Sequence, residues 1–263
     1  MKRITLSFAA LVVALTATAQ LEVKELKLSN GMTVWLNEDH SQPKVFGAVV
    51  VRAGAKDCPN TGIAHYFEHI MFKGTDRMGT IDYAAEKPLL DSISAQYDLL
   101  SQTKDDAERS SIQKKINELS IKAADFAIPN EFNRLISKYG GSGLNAGTGY
   151  DMTYYHNEFL PQFIEQWCWL NSERLMNPVY RGFQGELENV YEEKNRSADG
   201  AGDAMEKIMG AVFKTQPYAY PILGSTESLK NPRLSDMADF YKKYYVASNM
   251  CLVFVAISSP ATI

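Results

Sequence analysis

The stretch His65-Tyr66-Phe67-Glu68-His69 decides how the rest of this chain is read. On an α-helix, residues i and i+4 lie one turn apart on the same face. His65 and His69 can therefore aim two imidazoles at one point, and Glu68 borders that face. Two neutral imidazoles suit Zn²⁺, and a catalytic zinc takes a third protein ligand and keeps one position for water. A carboxylate beside that water can accept its proton. The order H-x-x-E-H is the reverse of H-E-x-x-H.

Around this stretch the periodicity alternates between sheet and helix. Val23 to Leu28 alternates, Ser29-Asn30-Gly31 reads as a turn, and Met32 to Leu36 returns as a strand, giving a hairpin. Val45 to Val51 is a dense apolar run, as expected of a strand covered on both faces. The zinc-type helix is expected over about Thr61 to Phe72, stopped by Gly74. Residues 82–127 carry apolar positions at helical spacing on either side of a polar stretch at 101–106, which predicts a helical hairpin with charged outer faces. Asn130 is placed to cap a short helix to Lys138. Residues 139–155, YGGSGLNAGTGYDMTYY, hold five glycines and end in a Thr/Tyr pattern; the residues alone allow either a turning hairpin or a strand that lets another backbone come close. Helices follow over Pro161 to Leu175, Phe183 to about Met209 with a break near Gly200-Ala201-Gly202, and Ser235 to Tyr245. A strand is expected over Met250 to Ala256.

Two histidines do not complete a catalytic zinc site. The other two, His40 and His156, have no partner at ligand spacing. Carboxylates are concentrated in Gly185 to Ser197, GELENVYEEKNRS. Glu188 and Glu192 read as a solvated acidic face. Glu186, Val190 and Glu193 return to one face at spacings of four and seven. A face carrying Val with Glu one turn away on either side points inward, and a buried carboxylate needs a partner such as a metal.

At these residues the chain resembles the active-site half of the pitrilysin (insulinase) family of zinc endopeptidases, for which H-x-x-E-H is a signature. The resemblance runs through LSNGMTVWL, GIAHYFEHIMFKGT, GGSGLNAGTGYDMTYY, ERLMNPVY, ELENVYEEKNR and PYAYPILGSTESL to FYKKYYVASNMCLVFV. It implies one Zn²⁺ per chain, held by His65, His69 and Glu193. It implies Glu68 as general base and Glu186 as a catalytic residue supporting the site from behind. It also implies that Asn145, Ala146 and Thr148 bind substrate on a sheet edge, where an extended peptide adds as a strand.

Two features depart from that family. The 82–127 hairpin reads as a surface insertion, and it puts Glu193 124 positions after His69. After the last strand, Ile257-Ser258-Ser259-Pro260 stands where the family usually has a Gly-Asp turn. The end of the domain and the family's second, zinc-free domain are expected to be missing.

The chain has 263 residues, 45% hydrophobic and 22% charged, with a net charge of −4. There is no basic run or phosphate loop, which excludes a nucleic-acid partner. Lys2-Arg3, the apolar run Ile4 to Ala14 and Ala17-Thr18-Ala19 fit a cleaved signal peptide over 1–19, leaving 20–263 as the domain. Export is expected, to a bacterial periplasm first and secretion second, with no stable membrane insertion after cleavage. Cys58, Cys168 and Cys251 are too widely spaced for a metal knuckle or redox pair.

The expectation is thus an α+β fold, with a mixed, largely antiparallel sheet packed with helices and an inserted helical hairpin. The function expected is zinc-dependent hydrolysis of extended peptides or small unfolded proteins, needing a homologous C-terminal-half domain or subunit for efficiency. The alternative is a non-catalytic or weakly active binding or assembly subunit, or a truncated product of such a peptidase.

Overall fold

A hairpin, β1 (Lys24–Lys27) and β2 (Thr33–Glu38), opens the fold. Its turn uses Gly31 at φ 89°, and Asn30 Oδ1 accepts from the Met32 N–H at 3.0 Å. These observations come from a computed structural model that describes residues 22–198 and 201–257. The expected signal peptide, the Ser258-Ser259-Pro260 stretch and part of the break near Gly200 lie outside the described residues.

Four further strands complete the sheet: β3 (Val45–Val51), β4 (Ser142–Thr148), β5 (Thr153–Phe159) and β6 (Met250–Ile257). Their order is β1-β2-β6-β3-β5-β4. Only the β2–β6 pairing is parallel, so the sheet is mixed and largely antiparallel, as expected. β4 lies at an edge of this sheet.

Val45, Val49, Val51, Tyr155, Phe159 and Phe254 are buried on one face of the sheet. The other face is not closed. Trp35, Phe46 and Tyr154 are 45%, 36% and 37% exposed. β3 is therefore not covered on both faces, which corrects the reading of its apolar run. Its small residue has a different cause: a Cβ on Gly47 would lie 2.8 Å from the rings of Phe159 and Trp167.

Helix α1 (Ile63–Ile70) is shorter than expected. It starts after Gly62, at φ 74°, where a Cβ would lie 2.5 Å from the Leu223 carbonyl oxygen. Past its end the chain turns at Gly74, at φ 97°. Phe67 is fully buried and meets the Tyr245 ring edge-on at 4.8 Å.

Helices α2 (Tyr83–Gln102) and α3 (Asp106–Ala124) form the expected hairpin, with Asp82 and Asp105 as N-caps. It does not merely sit on the surface. Leu90, Ile93, Tyr97 and Leu100 of α2, with Ile112, Ile116 and Leu119 of α3, join the same core cluster as α1. Glu86 of α2 is fully buried and accepts from Arg181 Nε and Nη2 at 2.6 and 2.7 Å. Arg181 also donates to the carbonyls of Lys73, Thr75 and Met78 at 2.8, 3.0 and 3.1 Å. One guanidinium thus joins the hairpin, the turn after α1 and the approach to the next long helix.

The remaining helices are α4 (Glu131–Lys138), α5 (Ile164–Met176), α6 (Phe183–Ala198), α7 (Ala201–Val212), α8 (Thr226–Lys230) and α9 (Leu234–Tyr244). Asn130 precedes α4 but does not cap it through its side chain; it takes the left-handed conformation at φ 57°. No helix among the described residues is long and apolar enough to cross a membrane. All three cysteines are free and half-buried.

Candidate metal centre

The site forms where α1 crosses α6 beneath the edge of β4. The Tyr66 hydroxyl of α1 donates to the Phe183 carbonyl at the start of α6, and Val190 of α6 is fully buried. Those contacts fix the rotation of both helices, so the histidines of one face the carboxylates of the other. His65 Nε2 lies 3.5 Å and His69 Nε2 3.7 Å from Glu193 Oε2. All three candidate ligand atoms fall within 4.8 Å of one another.

This donor set fits zinc. With metal–ligand bonds of about 2.0–2.2 Å at tetrahedral angles, neighbouring ligand atoms stand roughly 3.4 Å apart. The histidine–carboxylate separations are close to that. The nitrogen of His69 not aimed at Glu193 is also occupied: Nδ1 is 3.0 Å from Glu186 Oε2. A carboxylate on Nδ1 fixes the tautomer that leaves Nε2 as the metal donor.

Glu186 lies behind the site at 7% exposure. Lys73 Nζ contacts its Oε1, and Asn189 Nδ2 donates to the same oxygen at 3.1 Å. Glu68 is buried, and its Oε2 accepts from the Thr148 hydroxyl of β4 at 2.8 Å. On the same strand, the Ala146 N–H donates to Asn145 Oδ1 at 2.9 Å.

The charges follow from burial and partners. Burial, then the neighbouring His69, lowers the His65 pKa to about 4, which leaves a neutral ring for a metal. Burial also opposes the charge on His69, but Glu186, Glu193 and Glu68 outweigh it and raise its pKa. Burial raises the Glu68 carboxyl, while the Thr148 bond and His69 hold it back in part. For Glu186, burial would raise the carboxyl, yet hydrogen bonds from His69 and Lys73 hold it down at about 2.

All eight residues singled out from the sequence line one cleft of about 780 Å³: His65, Glu68, His69, Asn145, Ala146, Thr148, Glu186 and Glu193. His40 and His156 lie elsewhere. His40 pairs with Glu38, and His156 stacks on Tyr154. Glu188 and Glu192 make exposed contacts with Gln184 and Arg196. Sequence reasoning missed Lys73, Asn189 and the bond from Thr148 to Glu68. Lys73 stands one helical turn beyond His69, a spacing that signals a shared face; nothing in the sequence marks the Thr148 bond.

In comparison with known proteins, no protein-family model matches the chain. It is 23% identical over 231 residues to an uncharacterized zinc protease of Rickettsia felis, covering 86% of this chain and 44% of that protein. It is 23% identical over 151 residues to the zinc protease PqqE of Helicobacter pylori, covering 56% and 34%. Among solved structures, it superposes on a protease from Helicobacter pylori with a TM-score of 0.68 at 18% identity, covering 91% of this chain and 47% of that one. It superposes on pitrilysin with a TM-score of 0.64 at 20% identity, covering 94% and 22%. This is a pitrilysin-type fold. The pitrilysin-like resemblance and the α+β class expected from the sequence are both met, and the curated relatives are zinc proteases. The chain spans less than half the length of those relatives.

Proposed function

We propose that this pitrilysin-like chain carries the catalytic half of a zinc-dependent endopeptidase. The observation that carries the reading is the convergence of His65 Nε2 and His69 Nε2 on Glu193 Oε2, at 3.5 and 3.7 Å, beside the buried Glu68. His65, His69 and Glu193 would hold one Zn²⁺, which supplies a Lewis acid and lowers the pKa of water at its open position toward ~7.

The chain's own residues do the rest. An extended peptide adds to the edge of β4, with main-chain hydrogen bonds around Asn145, Ala146 and Thr148 supplying affinity. Thr148 orients Glu68. Glu68 takes the proton of the attacking water and returns it to the leaving amine. Glu186 holds the His69 ring.

The reading includes a homologous second half, as a further domain or a partner subunit, that closes over the cleft. Two observations support it: the Glu193 side chain is 42% exposed, and the zinc-protease relatives are more than twice as long as the stretch matched. Lys2-Arg3, the apolar run after them and Ala17-Thr18-Ala19 support export to a periplasm.

The test is a quenched extended peptide incubated with the zinc-loaded chain, with and without a candidate second half, beside Glu68→Gln. Zinc-dependent cleavage in the wild type, reduced by about 10²–10⁴-fold in Glu68→Gln, is expected. Zinc binding without cleavage under any of these conditions would favour a binding subunit instead.

A further inference from the structure

We propose that Lys73 is a positioning residue of the metal centre: it clamps Glu186 against His69 Nδ1, so that His69 presents Nε2 to the metal. The inference rests on the zinc site proposed above and adds to it a residue outside the ligand set.

Each oxygen of Glu186 has its own partner. Oε2 faces His69 Nδ1 at 3.0 Å, while Oε1 meets Lys73 Nζ and Asn189 Nδ2. Turning the carboxylate away from His69 must also break the Lys73 contact. Glu186 is 7% exposed, where a carboxylate without partners is strongly disfavoured. Among the described residues lining the cleft, Lys73 is the one Lys or Arg, so no other cation there can replace it.

The Lys73 backbone is itself held in place. Its N–H donates to the Ile70 carbonyl at 2.9 Å, and its carbonyl accepts from Arg181 Nη1 at 2.8 Å. The turn just beyond requires Gly74, since a Cβ there would lie 2.3 Å from the Met78 carbonyl oxygen. The lysine therefore leaves a fixed point one turn past His69. Engaged by Glu186, its ammonium is not free to receive a substrate carboxylate. Its action on the metal runs through Glu186, and removing such a partner from a ligating histidine typically weakens metal affinity about 10–100-fold.

The test is the zinc affinity of the 263-residue chain, by chelator competition, for wild type, Lys73→Met, Lys73→Arg, Glu186→Gln and the Lys73→Met/Glu186→Gln double variant. Circular dichroism of each metal-free variant checks the fold. Lys73→Met should weaken zinc binding by about 10-fold or more, and Lys73→Arg should recover most of that loss. In the Glu186→Gln background, Lys73→Met should add nothing, because the lysine acts only through that carboxylate. Wild-type affinity in Lys73→Met, or the same loss in both backgrounds, would overturn the role of Lys73. A wild-type chain without stoichiometric zinc would overturn the metal site itself, and this inference with it.

Discussion

The Thr148 hydroxyl donates to Glu68 Oε2 at 2.8 Å, so the edge strand that lines the cleft also holds the carboxylate beside the histidine pair. Burial pushes the Glu68 carboxyl up, and the Thr148 bond opposes that rise. Thr148→Val removes the opposing bond and should raise the Glu68 pKa further. With Glu68 as the proposed general base, ionisation then needs a higher pH, so the acid limb of kcat/KM should move to higher pH. A limb that stays in place would show that Thr148 does not act on Glu68.

Glu68→Gln keeps size and hydrogen bonding but cannot take a proton. Peptide hydrolysis should fall by about 10²–10⁴-fold, the usual worth of general acid–base catalysis, while zinc content stays at the wild-type level. Loss of zinc together with activity would make Glu68 a structural group instead.

The metal-free chain should lose stability in acid, in two steps with known signs. His65 falls from 6.5 to about 4 on folding, so the folded state resists its protonation, and stability declines as pH falls from about 6.5 to about 4. Glu186 falls from 4.5 to about 2, so its contribution is present above 4.5 and is lost as pH falls through about 2. His69 has the opposite sign: its raised pKa stabilises the fold below 6.5, and that contribution is lost as pH rises through the folded value. Melting temperature against pH, with His65→Asn, checks the first step. The variant should flatten the decline between pH 6.5 and 4; an unchanged decline would assign it to other groups.

Glu86→Ala leaves Arg181 buried without its carboxylate. Removing one partner of a buried ion pair destabilises by about 3–5 kcal/mol. Urea unfolding should register a loss of that order. A loss below about 1 kcal/mol would mean that the hairpin is not braced through this pair.

Much of the site was legible because helix geometry makes it local. His65, Glu68 and His69 share one turn, and Glu186, Val190 and Glu193 share one face of α6. That the two helices meet was carried by the family resemblance, since spacing within each helix does not determine which helices touch. The open face of the sheet at Phe46 was misread because an apolar run of strand residues looks the same whether one face or two are covered. The hairpin's place in the core was missed for a related reason. Its helical period located Leu90, Ile93 and Ile116, but not the elements they pack against. The Thr148–Glu68 bond is a single long-range contact that leaves no periodic trace, whereas Lys73 stands at helical spacing from His69 but its contact with Glu186 on another helix does not show in that spacing.

The central claim is that His65, His69 and Glu193 hold one zinc ion. Anomalous diffraction at the zinc edge, from crystals of the zinc-loaded chain, tests it most directly. One strong peak is predicted within about 2.0–2.2 Å of His65 Nε2, His69 Nε2 and a Glu193 carboxylate oxygen. No peak between those three residues, or zinc held instead by a cysteine or by His40 or His156, would contradict the account.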